Sequence, residues 1–264
     1  MAGFFTRLIE LDAWTMLFWR GVFGGLFIAG YIGWQYGRDT FAAFRAIGRA
    51  GLLAAACSTI ATVCFINALR RTTVADVMVI NATAPFITAA IAWLCTAERE
   101  SRTTLVASAV AFLGVAAMFN VAMSAGHLVG NLLALVMTIL ISAMMVIIRS
   151  NRQTPMLPAA CLSAFAVAVV VAPVATPSAG IGPDLVYLVL FGTTQFGLGL
   201  LLLTLGTRLI SATQSALIGS LETPLAPIWV WLAFGEIPAP MTCVGGAIVM
   251  AAVAADLLLH KSRA

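Results

Sequence analysis

Long apolar runs, cut by short clusters of charged and turn-forming residues, set the pattern of this chain. Nine such runs stand at about 13–36, 50–69, 74–96, 103–123, 127–148, 156–176, 184–207, 211–234 and 238–259. Each is mostly apolar and about 20 residues long, the length of a helix that crosses a bilayer. Residues 103 to 148 contain no Asp, Glu, Lys or Arg, which leaves no room for the apolar and polar alternation of an outer-membrane strand. That stretch is too long for one span and divides at Ser124-Ala125-Gly126-His127, while Pro177 through Pro183 separates the sixth run from the seventh. The pattern predicts an all-α integral membrane protein with nine visible transmembrane helices, short loops and no extramembrane domain.

Composition agrees with this reading. Of 264 residues, 62% are hydrophobic and only 9% charged, where a soluble domain carries about a quarter charged. The five cysteines (Cys57, Cys64, Cys95, Cys161, Cys243) lie inside apolar runs and show no CxxC or Cys/His spacing. They read as small packing residues, so neither a disulfide framework nor a metal site is expected. His127 sits in a turn and His260 near the tail, and neither resembles a metal or haem ligand. The start lacks a basic n-region, short apolar core and cleavage site in succession, so a removable signal peptide is not expected.

The formal charge is +4, and where the basic residues fall says more than their sum. With nine crossings, one side collects Arg38, Arg45, Arg49, Arg99, Arg102, Arg149, Arg152, Arg208, Lys261 and Arg263, and the other only Arg7, Arg70 and Arg71. Basic loops mark the cytoplasmic face, so the C-terminus is expected in the cytoplasm. The surplus reports topology, and no nucleic-acid partner is expected.

The chain also repeats itself. Glu98 and Glu236 stand 138 residues apart, each with a Trp five positions earlier (Trp93, Trp231), a Pro 12 or 13 positions earlier (Pro85, Pro224) and a small-residue-rich span after it. By the topology above, the two Glu end their spans on opposite faces, as an inverted repeat requires. The same offset pairs the tail of the fifth run with residues 1–10, which therefore read as the stub of a truncated first helix. Two five-helix repeats are expected, at 1–124 (four spans plus the stub) and 125–264 (five spans).

Residues 12–21 (Asp-Ala-Trp-Thr-Met-Leu-Phe-Trp-Arg-Gly) opening a span, 67–75 (Asn-Ala-Leu-Arg-Arg-Thr-Thr-Val-Ala) before a Pro-containing span, and the doubled Pro-to-Glu-to-Gly passages 85–114 and 224–246 carry a family resemblance. In their order and doubling the chain resembles the EamA-type transporters of the drug/metabolite transporter superfamily over essentially its whole length. It departs in the absent first helix and in Leu221-Glu222-Thr223-Pro224, where many relatives have Glu directly before Pro. The resemblance implies a basket of helices around a central cavity, carrying small metabolites such as amino acids, or amphiphilic compounds, usually outward across the bacterial inner membrane.

Several polar residues lie at depths where they need a reason. Glu222 falls near the middle of the 211–234 run, where an ionised carboxylate costs several kcal/mol unless paired or hydrated. It is a candidate for proton coupling or cation binding, or else a neutral carboxyl bonded to another helix or to backbone freed by Pro224. Arg20, about two turns inside 13–36 and followed by Gly21, Gly24 and Gly25, could hold a substrate carboxylate, snorkel to the interface or pair within the bundle. Gln195 with Thr193 and Thr194, and Asn81 one turn into a span broken by Pro85, suit recognition of zwitterionic solutes or interhelical hydrogen bonding. Trp19 and Trp229 lie deep enough to line a cavity, whereas Trp14, Trp34, Trp93 and Trp231 fit interfacial anchoring. Pro85, Pro224 and Pro227 weaken their helices, as hinges or as fixed kinks. Glu98 and Glu236 read as loop anchors, and Asn67 as a helix cap.

The leading expectation is a secondary transporter moving a small organic solute by alternating access. The bilayer and a proton or ion are its other partners, no cofactor is expected, and a homodimer is compatible with it. No GxxxxGK[ST] motif occurs in the sequence, so ATP hydrolysis on this chain is not expected. The alternatives are a membrane-embedded enzyme of lipid metabolism, for which Glu98 and Glu100 lack a histidine partner, and a non-transporting membrane assembly partner.

Overall fold

The computed structural model describes residues 5, 8, 9, 11–97, 100–119, 128–180, 182, 184–235 and 240–261. All regular structure among them is helical: α1 (Ala13–Tyr36), α2 (Thr40–Ala46), α3 (Gly48–Leu69), α4 (Val74–Asn81), α5 (Ala84–Thr96), α6 (Arg102–Phe119), α7 (Leu128–Ser150), α8 (Leu157–Val171), α9 (Leu185–Leu190), a π-helical segment (Phe191–Gly197), α10 (Leu198–Leu209), α11 (Ala212–Gly219), α12 (Glu222–Phe234) and α13 (Pro240–Lys261). Six helical stretches, 13–46, 48–69, 74–96, 128–150, 185–209 and 240–259, are long and apolar enough to cross a membrane. The other three expected spans correspond to α6, to α8 with only 15 residues, and to the pair α11 and α12. A turn follows α8 at Ala172-Pro173, where Pro173 has no N–H to continue the helical ladder. The Ser124–His127 break, His127, Glu98, Glu236 and most of residues 1–10 lie outside the described residues.

Two expected spans are each broken into half-helices, and at corresponding places. α4 and α11 start 138 residues apart and have equal length; α5 and α12 likewise start and end 138 residues apart. Each first half is capped by a hydroxyl: Thr73 Oγ1 accepts from the Asp76 backbone N–H and Ser211 Oγ from that of Gln214, both at 3.1 Å. Gln214 Oε1 accepts in return from the Ser211 N–H, completing a capping box. Each second half ends in a left-handed residue, Ala97 (φ 53°) and Gly235 (φ 69°). The breaks at Ala82-Thr83 and Ser220-Leu221 stand ahead of Pro85 and Pro224, whose rings suit the first turn of a helix and not its interior. Proline here starts a helix and does not kink one; only Pro227 lies inside α12.

The chain forms two compact units, Met1–Val63 with Ile147–Leu209, and Cys64–Val146 with Ile210–Ala264. In the first, α1 packs most extensively on α8. Its buried residues Leu17, Gly21, the adjacent pair Gly24 and Gly25, Ile28 and Ile32 return to one face every three or four positions, and the glycines let the neighbouring backbone come close. A Cβ on Gly21 would lie 2.7 Å from the Ala164 carbonyl oxygen, and one on Gly25 would touch the Phe165 ring at 2.9 Å. The core continues through Leu157, Ala160, Cys161 and Leu201.

In the second unit α6 and α13 make the dominant pair, crossing at Gly114 and Gly245. A Cβ on Gly114 would stand 2.8 Å from the Gly245 carbonyl oxygen, and one on Gly245 would collide with that of Gly114. Around the crossing, Ala107, Ala111, Val115, Val249, Ala252 and Val253 form the core. Ala82 from the first helix break and Leu217, with Ile218 and Leu221, from the second pack on this same core.

The start of α1 shows how an end is fastened. Asp12 Oδ1 accepts from the Trp14 and Thr15 N–H groups at 2.9 and 3.1 Å, and Thr176 Oγ1 donates to Asp12 Oδ2 at 3.4 Å. Slight burial pushes the Asp12 carboxyl up, but the bonds from Thr15, Trp14 and Thr176 outweigh it and hold its pKa below the ordinary value. The stabilisation is therefore present above the ordinary carboxylate range and lost as pH falls through the lowered value. Asp12→Ala should cost about 1 kcal/mol at neutral pH, and the Tm gap between variant and parent should close as pH falls through the lowered Asp12 value; a gap that persists in strong acid would contradict the cap.

Candidate functional site

Polar groups expected from the sequence gather in two places, one in each unit. In the first unit the chain runs as a π-helix over Phe191–Gly197 (Phe-Gly-Thr-Thr-Gln-Phe-Gly), with the Leu198 N–H bonding back to the Thr193 carbonyl. A π turn inserts one residue into the ladder and is a frequent mark of functional sites. Two glycines allow it to lie against α1: a Cβ on Gly192 would meet Phe23 Cβ at 2.7 Å, and one on Gly24 would meet the Phe196 ring at 2.6 Å.

That close approach places Arg20 beside the π turn. Its guanidinium carbon lies 4.4 Å from the Phe196 ring centroid and 5.8 Å from that of Phe191. Aromatic rings at such distances attract the guanidinium charge through their π faces. Trp19 stacks on Phe23 at 5.2 Å, donates its Nε1–H to the Pro177 carbonyl at 3.2 Å and packs against Gly180. Gln195, in the middle of the π turn, has its side-chain oxygen buried without a hydrogen-bond partner. A buried unsatisfied acceptor costs about 1–3 kcal/mol. Thr194 is exposed and donates to the Leu190 carbonyl at 2.6 Å, so its hydroxyl is committed to its own helix. Thr193 is committed likewise, to the Val189 carbonyl at 2.7 Å.

In the second unit the group is built on the helix breaks. Asn81 is the last residue of α4, half-buried, and Pro85 is buried in the first turn of α5. Glu222 opens α12, and Pro224 is buried in the same first turn. The sequence placed Glu222 in the middle of a continuous helix; the break moves it to a helix N-terminus, where the dipole favours a carboxylate, and its side chain is exposed. Loop hydroxyls occupy part of the freed backbone: Thr83 Oγ1 donates to the Ile80 carbonyl and Ser220 Oγ to the Leu217 carbonyl, both at 2.6 Å. Pro227, inside α12, has no N–H to give the Thr223 carbonyl one turn earlier.

Two buried carboxylates were not singled out by the sequence. Asp256, 2% exposed, accepts from Thr104 Oγ1 at 2.9 Å and Gln214 Nε2 at 3.4 Å; Asp76, 4% exposed, accepts from Thr72 Oγ1 at 2.8 Å. Gln214 and Asp76 occupy the same position, the third residue of α11 and of α4. The readable signal was the Ser-x-x-Gln and Thr-x-x-Asp spacing ahead of an apolar run. The exposed indoles of Trp34, Trp93 and Trp231 accord with interfacial anchoring. Among the described residues no group of three or more His, Cys, Asp and Glu could hold a metal ion.

Apolar helices of spanning length, two broken in the middle, define the class: a multi-pass membrane protein with the framework of a transporter. Residues 1–120 match the model of the EamA-like transporter family, within the drug/metabolite transporter superfamily. A crystal structure titled only as that of a protein superposes with a TM-score of 0.81 at 14% identity, covering 95% of this chain and 89% of that one, which shows a shared fold. No curated protein matches the sequence.

Proposed function

We propose that the chain is a secondary transporter that exports small organic metabolites, amino acids or amphiphilic compounds, across the bacterial inner membrane by alternating access, with its C-terminus in the cytoplasm. The observation that carries the reading is the paired helix breaks at 82–83 and 220–221, flanked by half-helices whose boundaries recur after 138 residues. Corresponding discontinuous helices are the backbone device by which transporters open polar groups to a solute inside the bilayer. The repeats are 1–124 and 125–264, in inverted orientation; the first compact unit draws one stretch from each, and the Cys64–Val146 stretch of the second runs across their boundary. Rocking of one repeat against the other would expose the solute to each side of the membrane in turn.

Arg20 holds an anionic group of the solute through its guanidinium, Gln195 supplies an amide acceptor to its ammonium or hydroxyl, and Trp19 offers an apolar wall. Asn81 and Glu222, with carbonyls released by Pro85 and Pro227, serve the coupling proton or cation in the other unit. Thr194 contributes through the shape of the π turn, and Pro85 and Pro224 act as hinges at the breaks.

The coupling role has a direct test in proteoliposomes with an imposed pH gradient. Glu222→Gln should leave solute exchange at equilibrium intact while abolishing accumulation driven by the gradient. Accumulation at the parental level would remove Glu222 from the coupling step.

A further inference from the structure

The second unit carries a groove that the transport reading does not use. Ala89, Ala90 and Trp93 follow one another within about one turn of α5, so their side chains share one side of the helix. Glu100 and Leu105, just before and just inside the start of α6, complete the lining, and the space measures about 420 Å³, within the range of small-molecule sites. All five lining residues belong to this one unit.

The lining combines an apolar wall, an aromatic face and one charge. Trp93 is 56% exposed, so its indole is available to a ligand. Glu100 is half-buried and is the one charged residue of the lining. Its carboxylate is satisfied on one side only: Ser211 Oγ, from the residue that caps α11, donates to Oε2 at 3.1 Å, while Oε1 is buried and accepts no hydrogen bond. A carboxylate oxygen taken from water without a donor is costly, and a cation that brings an N–H removes that cost. An ammonium beside an indole is attracted by the ring as well. A guanidinium suits the groove less, because one unmet acceptor would leave most of its five donors unused.

We propose that the groove binds a primary alkylammonium ion. Its N–H groups meet the Glu100 carboxylate, its charge lies against the face of Trp93, and its alkyl stem runs along Ala89, Ala90 and Leu105. On binding, the carboxyl group turns about its Cγ–Cδ bond to bring Oε1 to the ligand, with Ser211 still bonded to Oε2. Amphiphilic amines and the amino headgroup of phosphatidylethanolamine share this chemistry.

The experiment is calorimetric titration of the full chain in detergent at neutral pH with hexylamine, hexyltrimethylammonium, 1-hexanol and phosphatidylethanolamine. Hexylamine should bind about tenfold more tightly than hexyltrimethylammonium, which has the charge without an N–H, and than hexanol, which has the tail without the charge. Glu100→Gln keeps an acceptor for Ser211 and should weaken hexylamine binding about tenfold; Trp93→Leu should weaken it about threefold. Asp39→Asn, which removes an exposed carboxylate in the other unit, should leave it unchanged. Phosphatidylethanolamine that displaces hexylamine would make a lipid headgroup the source of the ammonium, and failure to displace it a soluble amine; the site stands in both cases. Hexanol or hexyltrimethylammonium binding as tightly as hexylamine, or parental affinity in both Glu100→Gln and Trp93→Leu, would overturn it. None of these readouts depends on transport.

Discussion

Gly245→Val should lower the Tm of the detergent-solubilised protein by about 6–12 °C, corresponding to about 3 kcal/mol of overpacking in a chain of this size. The obstacle that a new side chain meets at Gly245 is the Gly114 carbonyl, together with the Met118 main-chain nitrogen at 2.9 Å. Main chain cannot rotate out of the way as a side-chain tip can, so α6 and α13 must separate along their length. Separation strips Val115, Val249 and Val253 of partners, and both helix breaks lose the surface on which Ala82 and Leu217 rest. Gly33→Ala is the control: nothing stands within 4 Å of a Cβ there, and alanine is the better helix former. A thermal-stability comparison checks the pair; equal Tm values would show that the crossing does not hold the second unit together.

Gln195→Leu separates function from stability. Removing a polar group whose oxygen is buried without a partner should leave the Tm unchanged or raise it, because an apolar group of similar size ends the desolvation cost. The same change should lower transport about 30- to 150-fold, which is 2–3 kcal/mol of a lost bond to a charged solute group. An interhelical packing role would give the reverse pattern, a lower Tm with near-parental transport. Arg20→Lys should also fail to support transport, since a compact ammonium cannot reproduce a planar, delocalised guanidinium 4.4 Å from the Phe196 ring centroid. Initial rates for each variant against the parent, with Tm recorded on the same preparations, decide between the two patterns.

The helices were legible in the sequence because burial in lipid demands long, uniform apolar runs: every run that was predicted contains helix, and six helical stretches are long and apolar enough to cross a membrane. The breaks inside two of them were only half legible. Pro85 and Pro224 announced a disturbance, but the place where a helix stops depends on Thr83 and Ser220 folding back onto the carbonyls of Ile80 and Leu217, and hydropathy carries no trace of that. This is why Glu222 was expected in mid-helix and stands at a helix start. The π turn was illegible for a related reason: one extra residue per turn changes neither composition nor apolar spacing enough to be seen in Phe191–Gly197. Asp256 was passed over because it lies five residues from Lys261, among the charges that close the last span. Its burial comes from Thr104, 152 residues away.

Arg20 and Gln195 were picked out as isolated polar residues in apolar runs. Their shared neighbourhood follows from Gly24 and Gly192, whose missing side chains let α1 and the π turn meet. Small residues in a membrane helix carry this information only once the partner helix is known.

The central claim is that this chain moves a small solute across a bilayer. Its most direct test is counterflow in proteoliposomes of the purified 264-residue protein, preloaded in turn with individual amino acids and amphiphilic amines and acids, against protein-free vesicles and the Gln195→Leu variant. The account predicts saturable accumulation of at least one labelled solute in parental vesicles, sharply reduced in the variant. Accumulation no greater than in protein-free vesicles for every solute would contradict it.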